Sequence, residues 1–588
     1  MPPLVEQTLT PDIEPTSSER RASPAVRKRI SIATPRAKSV LSFVDELLAE
    51  QQTLTAIERF SRKHEQGELP AKAKHYRDLI PLAKPQPGEQ YAFAVDLEKC
   101  SGCKACVSAC HSLNGLDDGE MWRSVGLLIG EKPPLEAAIP PSQSAYQQHV
   151  TTACHHCIEP GCADGCPVLA YEKDPVTGIV RHLDDQCIGC QYCTMKCPYD
   201  VPKYSSAKGI VRKCDMCHGR LVAGEAPACV QACPHEAIRI ELVNQSAVRS
   251  RFNGDTSAGV RPSPGAATLA GDTALDCVKP FLPGSPEPRI TLPTTRYISA
   301  QPLPRSVRSA DADSLRLEPA HWPLIFMLVL TQLAGGLHLL NAVLPSAAWT
   351  EAAPALARAA FFTLLAGLLC SLAHLGRPLK AWRAFIGWRR SWMSREIIGF
   401  SIYILLAALL ACWPTRALLT QTTALAALAA IACSAMIYVD TGRPAWSANT
   451  VFPKFFGTLL LLGTTTGAMW AGWLALADAP LLTAAATFIR IALFAWEWTS
   501  LLRARNHAAS PFHRSAQTAF SLLRPVMVAR VVLFAASTVF SVLAIFNTAA
   551  QGPIWGTLAC AATFAGQVLE RYTFFTASAP PRMPGGIA

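Results

Sequence analysis

From Trp322 onward, apolar residues run in blocks long enough to cross a bilayer. They fall at about 322–344, 355–375, 396–414, 417–439, 452–477, 480–501, 526–547 and 553–573. This pattern predicts an all-α polytopic membrane bundle of about eight transmembrane helices over residues 319–588. Only Pro414-Thr415-Arg416 separates the third and fourth blocks, so these should form a tight hairpin, and an even number of spans leaves both ends on one face. The preceding half is polar. Residues 243–318 are rich in Pro, Ser, Gly and Thr without periodicity and read as a surface linker. Leu41, Val44 and Leu48, with Phe43 and Leu47, lie at helical spacing and predict a helical N-terminal extension over 39–90. Residues 1–38, rich in Pro, Ser, Thr and Arg, read as a disordered basic tail.

The formal charge of +11 changes little. Its basic residues gather in short loops between apolar blocks, where a membrane explains them better than nucleic acid, and no nucleic-acid partner is expected. No apolar stretch precedes Tyr91 or follows Arg20-Arg21, so no export signal is expected.

The cysteines change more. Residues 91–242 hold four quartets: Cys100, Cys103, Cys106, Cys110; Cys154, Cys157, Cys162, Cys166; Cys187, Cys190, Cys193, Cys197; and Cys214, Cys217, Cys229, Cys233. The first and third have the bacterial ferredoxin spacing, in which three close thiolates wrap one cubane and the fourth reaches another cluster. Three quartets run into Pro167, Pro198 and Pro234. A zinc ribbon needs only two Cys-x2-Cys pairs. Sixteen thiolates, four to a cluster, therefore predict four [4Fe–4S] clusters. Cys277, Cys370, Cys412, Cys433 and Cys560 are isolated.

The order and gaps of these motifs, above all the spacings Cys157–Cys162 and Cys217–Cys229, resemble the four-cluster ferredoxin subunit of the DMSO reductase family of molybdenum enzymes. The resemblance implies an α+β tandem ferredoxin-like domain. It also implies ligands shared across the chain. Cys100, Cys103 and Cys106 would join Cys233; Cys214, Cys217 and Cys229 would join Cys110. Likewise Cys154, Cys157 and Cys162 would join Cys197, and Cys187, Cys190 and Cys193 would join Cys166. The third-motif cluster would lie nearest the membrane. The second half resembles the DMSO reductase anchor subunit, through His321-Trp322-Pro323-Leu324, Gln332, Gly335-Gly336, His374-Leu375-Gly376-Arg377-Pro378 and Ser394-Arg395-Glu396-Ile397. Pro444-Ala445-Trp446 and Glu570-Arg571 match more weakly. Two subunits, usually separate, are fused here, which raises their effective concentration.

The resemblance implies an electron-transfer and anchor subunit passing electrons between a molybdopterin catalytic subunit and quinone or quinol. The alternatives are the same role for a multihaem cytochrome, or a membrane-tethered redox sensor. Quinone chemistry moves protons with electrons, and His374 and Glu396, at the ends of consecutive spans, are the candidates for that work. Arg490 and Glu497, on one helical face, suggest a proton route or a salt link. His338 and His374, with His321 just outside the first span, are too few for two haems; the alternative is one haem held by His338 and His374, and no haem is expected. Basic loops on the ferredoxin side predict a bacterial inner membrane protein with its clusters facing the cytoplasm.

Overall fold

The computed structural model describes residues 77–585 except 82, 132–144, 254–280, 301–302, 305, 345–346, 415, 509 and 548–550. The expected tail 1–38, most of the extension 39–90, and Cys277 lie outside the described residues.

The cysteine-rich half is built on two small sheets. Strand β1 (Glu89–Asp96) runs antiparallel to β8 (Ile238–Asn244), pairing Phe93 with Ile240, so the first and last segments of the cysteine region are neighbours. Strand β2 (Ser124–Glu131) pairs with β3 (Ala145–Thr152). Hairpins β4 (Tyr171–Lys173) with β5 (Val180–His182), and β6 (Lys203–Ser205) with β7 (Ile210–Arg212), complete it. Short helices follow or lie between the cysteines: α1 (Ala105–Leu113), α2 (Gly161–Asp164), α3 (Tyr192–Lys196), α4 (His218–Val222) and α5 (Ala228–Gln231).

The segment expected as a draped linker is partly structural. Beyond α6 (Gln245–Asn253), β9 (Arg296–Ile298) adds to β1 in parallel, and β10 (Arg308–Ser309) pairs with β2. Strands of two or three residues leave no alternation to read, and their partners lie far away in sequence.

The second half is helical: α7 (Trp322–Val343), α8 (Ala347–Ala373), α9 (Trp392–Cys412), α10 (Ala417–Val439), α11 (Ala448–Trp473), α12 (Ala479–Asn506), the short α13 (His513–Phe520), α14 (Arg524–Phe546) and α15 (Gly552–Thr576). Apolar helices suit lipid because they satisfy every backbone polar group internally. Six of them, α7 to α10, α12 and α14, are long and apolar enough to cross a membrane. Helices α11 and α15 have the length but fall short in apolarity, carrying Lys454, Glu570 and Arg571. Gly336 on α7 and Gly463 on α11 let these two helices touch, because a Cβ on Gly336 would come within 2.8 Å of Gly463 Cα.

After α15 the tail returns to the cysteine half. Leu127 N–H donates to Gly585 O at 3.1 Å, and Gly585 N–H donates to Asp311 Oδ1 at 3.0 Å.

Candidate functional site

Four groups of four thiols come together, each drawing on two motifs. Cys154, Cys157, Cys162 and Cys197 line one cavity, and Cys100, Cys103, Cys106 and Cys233 line another. Cys110 neighbours Cys217 and Cys229, which with Cys214 form a third group. Cys166 neighbours Cys187, Cys190 and Cys193 in the fourth. This is the cross-chain grouping that the family resemblance implies.

Local backbone explains how short segments curl round a common centre. Gly102 and Lys104, Gly189 and Gln191, and Met216 and Cys217 all have φ between 49° and 77°. Such left-handed turns point successive N–H groups inward, a concavity suited to sulfide and thiolate charge. Amides donate to the sulfurs: Ala170 to Cys166 at 3.2 Å, Gly189 to Cys187 at 3.4 Å, Met216 to Cys214 at 3.4 Å and Ala237 to Cys233 at 3.3 Å. Two buried cations add to this field. Lys213 lies 3.6 Å from Cys154 Sγ, and Arg123 neighbours Cys229 and Cys106.

Burial pushes the Cys110 thiol up to about 12, and Cys166, Cys197 and Cys217 up to about 11. Thiolates so placed need a bound cation, which iron supplies. Among the described residues no three Cys, His, Asp or Glu side chains converge as they would around a single ion. Two of the groups, those of Cys154 and Cys100, instead line a cavity between their sulfurs.

The third-motif helix α3 is where the two halves meet. His374 Nε2 lies 3.2 Å from Cys190 O, and Arg377 N–H donates to Ile188 O at 3.0 Å. Gly376 is required there, since a Cβ would run into Gly209 O. Gly387 N–H donates to Pro167 O at 2.8 Å, and Ser391 Oγ donates to Gly165 O at 2.7 Å. From the other side, Tyr192 OH donates to Asp440 Oδ2 at 3.0 Å and Lys196 pairs with Asp440 at 2.7 Å. Three basic residues of the 376–395 loop serve this contact. Arg377 donates to Asp184 O at 2.8 Å, and Lys380 and Arg383 donate to Asp185 O at 2.7 and 3.1 Å.

His374 and Glu396 have different surroundings. His374 packs edge-on against His321, with ring centroids 5.2 Å apart. Glu396 is buried within α9, beside Ser434 of α10. A cavity of about 280 Å³ at the seam is lined by His321, Glu318, Arg443 and Trp446 from the anchor half, and by Asp200 and Tyr204 among others from the ferredoxin half. Burial, with His374 and Arg443 nearby, lowers His321 to about 4, and burial raises the Glu318 carboxyl. His321 thus faces the cavity as a neutral hydrogen-bonding ring. The sequence marked His321 by its motif and its place just outside the first span; its contact with His374 comes from the antiparallel packing of α7 and α8.

His338 hydrogen-bonds the Tyr403 hydroxyl at 2.7 Å, about 25 Å along α7 from His321 at the helical rise. It therefore does not face His374. Arg490 does not pair with Glu497, which instead holds Lys454 at 2.7 Å and Arg530.

A cysteine-rich ferredoxin-like unit seated on an apolar helical bundle defines a membrane-anchored iron–sulfur electron-transfer protein. Residues 146–242 match a 4Fe-4S dicluster domain, and residues 318–576 match the DMSO reductase anchor subunit (DmsC). The B subunit of anaerobic dimethyl sulfoxide reductase from Haemophilus influenzae is 35% identical over 176 residues, 30% of this chain and 83% of that protein. Its counterpart from Escherichia coli K12 is 34% identical over 175 residues, covering 30% and 82%. The hydrogenase-2 operon protein HybA of Escherichia coli O157:H7 is 31% identical over 221 residues, covering 34% and 66%. The chain belongs to the DMSO reductase family of electron-transfer subunits, with the iron–sulfur subunit and a DmsC-type anchor on one polypeptide. It carries 4Fe–4S clusters and is a multi-pass membrane protein.

Proposed function

We propose that the chain passes electrons between a molybdopterin catalytic subunit and quinone through four [4Fe–4S] clusters, one in each thiol group. The ligands are the sixteen cysteines from Cys100 to Cys233, and in this reading all eight long helices cross the membrane. The observation that carries it is the seam: the segment holding Cys187, Cys190 and Cys193 is gripped by two anchor loops, with His374 against the Cys190 carbonyl. When bound, the clusters supply one-electron steps. The protein's own work is to hold the thiolates, exclude water and handle the accompanying protons.

Quinone meets the chain at this seam. A ring in the cavity beside His321 can accept a hydrogen bond from it, and the Glu318 carboxyl, raised by burial, is suited to exchanging protons. His374 positions His321 against the third-motif segment. Glu396, buried behind α3, is a second proton-handling group. The iron–sulfur half faces the cytoplasm of a bacterial inner membrane in this reading. Because Arg377, Lys380 and Arg383 bond the ferredoxin half, the basic loops have a docking role besides any topogenic one.

The test is an anaerobically purified complex in native membranes, with about sixteen irons per chain expected from four cubanes. Quinol-coupled turnover should accompany dye-coupled turnover. Stoichiometric zinc with little iron overturns the cluster reading. A C-terminal phosphatase fusion active outside the cell overturns the orientation.

A further inference from the structure

The chain between α8 and α9 has a period of its own. Pro378–Phe385 is a 3-10 helix, in which side chains three residues apart lie above one another. Its sequence therefore sorts into rows. Arg377, Lys380 and Arg383 form the first, and each donates to the backbone of the ferredoxin half, at the Asp184 or Asp185 carbonyl. Ala381 and Ala384 form the second, with Ala384 buried, and lead to Gly387 against Pro167. Leu379, Trp382 and Phe385 form the third, and they are 94%, 65% and 44% exposed. Ile386 and Trp388, just beyond, are 50% and 53% exposed.

An apolar row this bare calls for a cover. Its tether says what kind. Helix α8 ends at Ala373 and α9 starts at Trp392, and both are long and apolar enough to cross a membrane, so the segment between them is held at the membrane face. In sequence the row follows an exposed stripe on α8 (Leu365, Leu369, Leu372) and precedes one on α9 (Ile402, Leu405, Leu409). Such stripes on a spanning helix face lipid, and the row prolongs them past the helix ends. Tryptophan is suited to this layer, where its ring is covered and its N–H stays wet. The neighbouring cations suit it too. Arg389 and Arg390 are exposed, and the Arg383 and Arg389 guanidiniums lie 5.8 and 5.3 Å from the Trp382 and Trp388 ring centroids.

We propose that residues 378–388 lie in the plane of the membrane surface as an interfacial anchor. Leu379, Trp382 and Phe385 sit at the boundary of phospholipid headgroups and acyl chains, with Arg389 and Arg390 among the phosphates. The basic row of the same short helix holds Asp184 and Asp185. Lipid and the segment leading into the third motif are thus fixed to different rows of one element, which sets the height of that motif over the bilayer. The arrangement is the same whichever side of the membrane the iron–sulfur half faces.

The experiment puts the photocrosslinker p-benzoylphenylalanine in place of Leu379, Trp382 or Arg383 in turn, in the whole complex in native membranes. Adducts are identified by mass spectrometry. Phospholipid should be the main adduct at residues 379 and 382. At residue 383, one position along and in the basic row, lipid adducts should be lost and adducts to the ferredoxin half should replace them. Adducts from 379 and 382 to another subunit, a second copy or another segment of this chain overturn the proposal. So does an absence of lipid adducts at both, or lipid adducts as abundant at 383 as at 382. Leu379 is nearly fully exposed, so a label there leaves folding intact and still decides should either other label spoil assembly.

Discussion

The cysteine half and the anchor half handle buried charge in opposite ways. Around the thiols, charge is met first by N–H groups from the same short segments, such as Ala170 to Cys166 and Gly189 to Cys187, and the cations Lys213 and Arg123 add to three of the four groups from farther along the chain. In the bundle, charge is met at long range. Lys454 reaches Glu570, 116 residues away, and Arg490 reaches Thr563, 73 residues away. The first arrangement follows from spacing within a motif. The second exists only once the helices have packed.

The largest effect should come from breaking the local arrangement. Cys190→Ser removes one thiolate from the group gripped by the anchor. About four of about sixteen irons should be lost, by the four-thiolate rule. Quinol-coupled turnover should fall below detection, while Cys412→Ser, at an exposed isolated thiol, keeps both. Iron analysis beside turnover checks this. Full iron in Cys190→Ser would detach that residue from any cluster.

Next in size are the seam residues. His321→Ala, His374→Ala and Glu396→Gln should each assemble with full iron content. Loss of a group that handles the reacting proton typically costs about a hundredfold or more in rate. Quinol-coupled turnover should drop on that scale with dye-coupled turnover unchanged. Should Glu396→Gln alone retain normal turnover, the proton work belongs to the His321 cavity.

A smaller effect separates the seam as a fixture from the seam as a site. Gly376→Val places a side chain against Gly209 O, where both backbones approach. Overpacking of this kind typically costs about 1–3 kcal/mol. The variant should lower the thermal midpoint of the whole chain and expose the 376–391 loop to protease. An unchanged midpoint would mean that the loop yields at no cost.

These contrasts explain what was legible in the sequence. The quartets were readable because ligands two or three residues apart are a local property. The third-motif contact with the anchor could be expected only through family resemblance. Strands β9 and β10 were missed because two or three residues carry no period. Arg490 and Glu497, seven apart on α12, looked like one pair because helical spacing reports a shared face and not a shared partner. Helices α11 and α15 read as spans like the rest, yet their polar residues are inward-facing partners of other helices. Gly376 was visible within its motif, but its reason, the Gly209 carbonyl, belongs to another part of the chain.

The smallest expected effect concerns the tail that ties the two halves together. Asp311 sits beside β10, accepts from Gly585 N–H at 3.0 Å and lies 3.4 Å from Arg582. Burial alone would raise its carboxyl, but Ser309, the Gly585 amide and Arg582 together hold it below the ordinary value of 3.8. A carboxyl depressed in the folded state contributes stability that is complete above the unfolded value. That contribution fades as pH falls through the lower, folded one. Docking of residues 578–585 should therefore hold at neutral pH and weaken only in acid, below about pH 4 by that linkage. Asp311→Asn keeps the shape and removes the charge, so it should lose about 1 kcal/mol or less, as for a partly exposed ion pair. The acid dependence of tail release should vanish with it. Hydrogen exchange at the Leu127 and Gly585 amides, compared between pH 7 and about pH 3, reads this directly. Equal protection in wild type and Asp311→Asn at both pH values would place the hold of the tail in its backbone bonds alone.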